Sequence, residues 1–385
     1  MFRTSHPLWL AGFRPFFLLA ALAGLILPPL WAMIFTGWTA STASPLDPLR
    51  WHAHEMYYGF GWAVLGGFLL TASKNWVGIR GYHGGVLIAL SLAWLLERLA
   101  LSAGAGWPPV WLAIAAFAFL GSIAMLLGWT LLRYRRQDSY RDNLLFVVAL
   151  PAFLFAKYQL LYGDFTGGAA MTLALFRLAF LVMLERTLTQ FMKAACQTDI
   201  LRAPWLDLPI KLLGLALAGV FWLPATWTAG LSLLLAGLLL IRLPFWRPDR
   251  ACRRLDVGIM FVGYLAIVGQ LLLEAWATLA GPAWIGALPT HVFTFGAMGC
   301  VIPAMIVRIA NGHTGRKVVF SAVDRSVLWL MLGALLIRVG LTQLAPAHYA
   351  WWIGLAALCW LAAFGLLLVR YAPVLMQPRI DGREH

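Results

Sequence analysis

Charge is scarce in this chain of 385 residues: 11% are Asp, Glu, Lys or Arg, and acidic residues number only 15 against 29 basic ones. With 62% hydrophobic residues and a mean hydropathy of +0.81, that scarcity excludes an ordinary soluble domain and describes a polytopic membrane protein. The net charge of +14 does not read as nucleic-acid binding, because the basic residues lie in short links between apolar runs and not on a soluble face. Cysteines are few and scattered, at 196, 252, 300 and 359, without a C-x-x-C pair or C-x-x-C-H, so thiol chemistry and covalent haem attachment are not expected. The first apolar run lacks a small-residue cleavage site and is expected to stay as a helix. No stretch punctuates the chain as a linker, which predicts a single transmembrane domain over 1–385.

What is present is a series of apolar runs. About 20 apolar residues cross a bilayer as a helix, and that ruler gives twelve spans, starting near residues 15, 51, 86, 110, 143, 169, 210, 227, 255, 290, 326 and 351. The expected fold is therefore an all-α bundle of about twelve transmembrane helices. Lys74 and Arg80, Arg133 to Arg141, Lys193 and Arg202, Arg247 to Arg254, and Arg316 to Arg325 occupy alternate links. Those links are expected in the cytoplasm, with both termini. The links between them lack Lys and Arg, and only Arg50 breaks the pattern.

On that orientation, His52, His54 and Glu55 open span 2 at the outer end, and His291 opens span 10 at the same depth. Glu97, Arg98, Lys157, Glu274 and Arg338 fall nearby, with Arg177 nearer the middle. Each charge at a helix centre costs on the order of 3 kcal/mol in lipid, so these groups should face the interior and one another. For any one of them the plain reading is an interhelical ion pair. Three histidines with inward charges favour a metal or haem site, with neutral imidazole as ligand and basic side chains for propionates. His52 and His54 point about 200° apart on a regular helix, so they should not grip one ion together. Glu55 is expected to orient a histidine, bind a second metal or relay protons as the catalytic group. Tyr57 and Tyr58 read as an interfacial aromatic belt. Span 10 also echoes span 2: His54, Gly59, Asn75, Gly78 and Arg80 have counterparts in His291, Gly296, Asn311, Gly315 and Arg316.

The stretch "HAHEMYYGFGWAVLGGFLLTASKNWVG" at 52–78 resembles the first signature of the NnrS family, and "THVFTFGAMGCVIPAMIVRIANGHTGR" at 290–316 resembles a second. "RPFF" at 14–17 and "YAPVLMQPRIDG" at 371–382 resemble its two ends. The chain departs from the pattern at "LERTLTQFMKAA", which carries Glu185 and Arg186. The resemblance implies a twelve-span protein of the bacterial inner membrane with a haem, non-covalent and b-type, and copper or another second metal, protecting against nitric oxide and nitrosative stress.

On this reading His54 and His291 are the first-choice metal ligands and His52 a third ligand or a hydrogen-bonding partner of one, while Arg98, Lys157, Arg177 and Arg338 serve propionates or site electrostatics. Nitric oxide binds there and is reduced to nitrous oxide, with quinol or a separate donor supplying electrons. Alternatives are a haem sink or sensor without turnover, a haem electron-transfer protein, and a secondary transporter. His313, some 22 residues beyond His291, lies about 33 Å away if all helical and reads as a structural turn or an inner-side group, with a second site as the alternative.

Overall fold

The computed structural model describes residues 3–40, 43–281 and 284–382. Among the described residues every regular element is helical and there is no strand. A chain this apolar has no water within the bilayer to satisfy its peptide groups, and the helix satisfies them internally. In chain order the main helices are α1 (Phe13–Phe35), α2 (48–77), α3 (Gly85–Ala103), α4 (Pro109–Arg133), α5 (Leu144–Tyr162) and α6 (Phe165–Cys196). They continue with α7 (Pro204–Ala218), α8 (Ala225–Arg242), α9 (Leu255–Ala280), α10 (Leu288–His313), α11 (Ala322–Leu344) and α12 (Tyr349–Met376). Gly78 and Gly281, at φ +68° and +59°, close α2 and α9 in the left-handed conformation that glycine adopts without a Cβ penalty.

Among the described residues ten helices are long and apolar enough to cross a membrane, so the protein is a multi-pass membrane protein; twelve were expected. Helix α2 has the length, and its histidines, Glu55, Lys74 and Asn75 dilute its hydropathy. Helix α7 has only 15 residues, about 22 Å of rise against a hydrocarbon core of roughly 30 Å.

The chain divides into two compact units. Unit 1 comprises 1–165, 306–319 and 360–385, and unit 2 comprises 166–305 and 320–359. In unit 1, α1 lies close against α2. A Cβ at Gly67 would fall 2.6 Å from the Phe16 Cβ, and one at Gly12 would fall 2.6 Å from the Leu70 Cβ. The Phe13 amide donates to Thr71 Oγ1 at 2.8 Å across the same contact. The first and last family-like blocks meet here: Arg14 Nη1 donates to the carbonyls of Leu375 (2.9 Å) and Gln377 (2.6 Å). The "GHTGR" segment joins them, since Arg379 Nη1 donates to the His313 carbonyl at 3.0 Å and the Ile380 amide to Thr314 O at 3.1 Å. His313 thus closes α10, just before the turn at Thr314 and Gly315. Arg50, the exception in the charge pattern, donates from Nη1 to the carbonyls of Leu160 and Leu161 and caps the end of α5.

In unit 2, α9 packs against α8 and against the first half of α10. A Cβ on Gly296 would collide with Ala266 Cβ, which is why the helices can approach so closely there. Glu185, from the segment that departs from the family pattern, is buried and accepts from Lys211 Nζ and Arg202. Asp207 pairs with Arg242 at 3.3 Å, and that guanidinium lies 4.1 Å from the Trp246 ring centroid.

Candidate functional site

Three helices contain wide π turns: Glu55–Gly61 in α2, Val292–Gly299 in α10 and Leu336–Leu341 in α11. Such turns recur at functional sites because the extra residue re-aims side chains. His54 immediately precedes the first, His291 immediately precedes the second, and Arg338 lies in the third. The echo between spans 2 and 10 thus has a backbone counterpart.

In unit 1, His54, Glu55, Glu97 and Lys157 are each 0% exposed. His54 Nδ1 lies 3.1 Å from Glu55 Oε1, and its Nε2 lies 3.2 Å from Glu97 Oε1. Arg98 Nε pairs with Glu55 Oε2 at 2.7 Å and its Nη2 with Glu97 Oε1 at 3.2 Å, while Lys157 pairs directly with Glu97. Two carboxylates face two cations, so the cluster balances without a ligand. The inward-facing charges expected from the sequence are therefore met, by one another. Tyr57 and Tyr58 are not an interfacial belt: they are 4% and 1% exposed. The Tyr58 ring stacks on His54 and lies under Lys157 Nζ at 5.0 Å, and its hydroxyl donates to Phe153 O. The sequence hid this because a tyrosine beside a predicted helix end reads as interfacial until its partners are known. His52 points elsewhere, as the helical spacing requires, and stacks on Trp31 with centroids 4.2 Å apart.

In unit 2, the His291 Nδ1–H donates to the Ala287 carbonyl at 2.7 Å, a contact that requires the Nδ1–H tautomer and leaves Nε2 as the acceptor nitrogen. Arg338 Nη2 lies 3.2 Å from that Nε2 and 3.2 Å from the Tyr349 hydroxyl. Among the described residues no carboxylate pairs with Arg338, although it is only 7% exposed. Arg177 is separate from this pair: its Nη1 donates to Gln270 Oε1 at 2.7 Å and to Glu274 Oε2 at 3.1 Å.

The predicted residues thus form two sets. His54, Glu55, Arg98 and Lys157 come together with Glu97 in unit 1, and His291 meets Arg338 in unit 2. Within neither unit do three or more His, Cys, Asp or Glu side chains gather to hold a metal ion, among the described residues. As a test of fit to haem, His291 has its unprotonated Nε2 against Arg338, a cation lacking a carboxylate, so iron on that nitrogen would have to displace the Arg338 contact. His54 does not fit, since both its ring nitrogens face carboxylates.

A multi-pass helical membrane protein with a buried, charge-compensated histidine cluster and a second histidine poised beside an arginine is the class that fold and site define. The chain belongs to the NnrS family, described as NnrS protein, which it matches over residues 7–379. Membership points to a role in the response to nitric oxide. A comparison with curated proteins found no match.

Proposed function

We propose that this protein binds a non-covalent haem through His291 and captures nitric oxide there, reducing it to nitrous oxide in the bacterial inner membrane. One observation carries the reading: His291 holds its proton on Nδ1 against Ala287 O and turns Nε2 toward Arg338, a buried cation with room in its charge balance for a propionate. Haem, when bound, supplies the iron at which nitric oxide is held. Arg338 would give up its contact with His291 Nε2 to bind a propionate, with Tyr349, hydrogen-bonded to Arg338, holding that guanidinium nearby. The loop before His291 is pinned by Gln343, which bonds both the amide and the carbonyl of Ile285 at 2.9 Å.

On this reading the unit 1 cluster has a different task from ligation. His54 stands buried between Glu55 and Glu97, and Glu55 is the group that passes protons on. Helices α2 and α7 complete a count of twelve crossings, with both termini in the cytoplasm as the basic links suggest. A second metal such as copper is assigned to His52, whose ring stacks on that of Trp31.

The test is the absorption spectrum and metal content of detergent-purified protein after haem-replete expression. Wild type is expected to carry haem whose reduced spectrum changes with nitric oxide. His291→Ala should lose the haem, Arg338→Leu should bind it more weakly, and His54→Gln should retain it. A colourless, iron-free wild type, or haem retained in His291→Ala with an unchanged spectrum, refutes the assignment.

A further inference from the structure

A recess of about 230 Å³ enters unit 2 where the ends of several helices come together. Its wall takes Ala174 and Arg177 from α6, Ser232 from α8, Glu274 and Ala277 from α9, and Pro289 from the start of α10. Ser232 is fully buried, lines the recess and has no hydrogen-bond partner for its hydroxyl, a cost that a bound group would remove. Glu274 is 30% exposed and lines the same space, while Arg177 balances its charge. Trp222, Trp227 and Trp276 are exposed by 65%, 64% and 59% and belong to the same helix turns, which is how tryptophans mark the level of a membrane interface.

We propose that this recess binds the hydroxyl-bearing ring of a neutral membrane hydroquinone. The proposal rests on the reductive reading above, for which it names the class of electron donor. Neutrality follows from the Arg177–Glu274 pair, which any charged ligand would have to break. The need for a hydroxyl follows from Glu274, because an ionised carboxylate only accepts hydrogen bonds, and from Ser232, which can donate and accept in return. A compact ring suits walls whose alanines at 170, 174, 229 and 277 end at Cβ, and the tryptophan level selects a ligand that partitions into lipid. Pro289 stands two residues before His291, so a ring held here lies against the helix that carries the proposed iron ligand.

The test titrates the purified full-length protein with duroquinol in detergent, followed by tryptophan fluorescence, with the dimethyl ether of the same ring as a control that cannot donate. Duroquinol should bind at one site per chain and the ether should not. Glu274→Gln should weaken binding about tenfold or more, the scale of a lost hydrogen bond to a charged group, and Ser232→Ala by a smaller factor. Ala277→Phe should abolish it by filling the recess; Ser232→Ala carries the test if that variant does not fold. Equal binding of duroquinol and its ether, indifference to Glu274→Gln and Ser232→Ala, or displacement by phosphatidylglycerol at low concentration overturns the proposal. Loss of the haem reading leaves a distinct signature: a colourless protein that still binds duroquinol with these variant effects.

Discussion

Glu97 is the residue on which the unit 1 cluster turns, and its replacement by glutamine gives the sharpest test of the energetics. Glutamine keeps the shape and removes the charge, leaving Lys157 and Arg98 to share Glu55 alone. Lys157 is 0% exposed, so its ammonium cannot recover the loss in solvent. Removing one partner of a buried pair costs about 3–5 kcal/mol, roughly two to nearly four powers of ten in the unfolding equilibrium. The double variant Glu97→Gln with Lys157→Met restores the balance, with Glu55 facing Arg98 at 2.7 Å. It should recover about 0.5–3 kcal/mol of the summed single losses, the range seen for coupled contacts. The assay is reversible unfolding in mixed detergent micelles, with all four proteins of the cycle measured under one condition. A Glu97→Gln variant within about 0.5 kcal/mol of wild type, or a double variant that loses the full sum, would show that the four groups are not one electrostatic unit.

Other perturbations test the packing. Gly67→Ala should cost about 1–3 kcal/mol because its new methyl meets the Phe16 Cβ and the Gly12 carbonyl, whereas Gly121→Ala, with open space around it, should gain about 0.5–1 kcal/mol in the same unfolding assay. Ser321→Ala removes one half of the capping box that Ser321 forms with Asp324 at the start of α11 and should cost about 0.5–2 kcal/mol. Arg50→Met uncaps the carbonyls of Leu160 and Leu161 and should raise amide exchange in the last turn of α5 while leaving the rest of that helix protected.

Much of the fold is legible in hydropathy alone, because a membrane helix must be both long and apolar: ten helices meet that test, and each begins within a few residues of an expected start. The two that escape the ruler do so for physical reasons, polar residues along α2 and shortness in α7. The inward charges were also legible, since lipid leaves Glu97, Lys157 and Arg338 nowhere else to point. Their partners were not. Nothing in the spacing distinguishes Lys157, which spends its charge on Glu97, from Arg338, which faces a histidine, because pairing is decided by contacts between residues 60 and 47 positions apart. The π turns were equally hidden, as a one-residue change of register leaves no mark in the composition.

The echo between α2 and α10 takes on a different meaning once those partners are known. Both helices open with a histidine and widen into a π turn, yet the corresponding glycines do different work. Gly296 lets α10 approach Ala266 on α9, whereas a Cβ on Gly59 would press on Arg98 Nη1 and Glu55 Oε2 at 3.1 and 3.2 Å, so there the missing side chain makes room for an ion pair. The same local backbone therefore encloses a balanced set of charges around His54 and an unbalanced one around His291. A buried charge without its counterpart is expensive to maintain unless something binds to it, whereas a closed set needs no ligand. That asymmetry, more than the histidines themselves, is why the proposed cofactor is assigned to His291 and Arg338 and not to the α2 cluster.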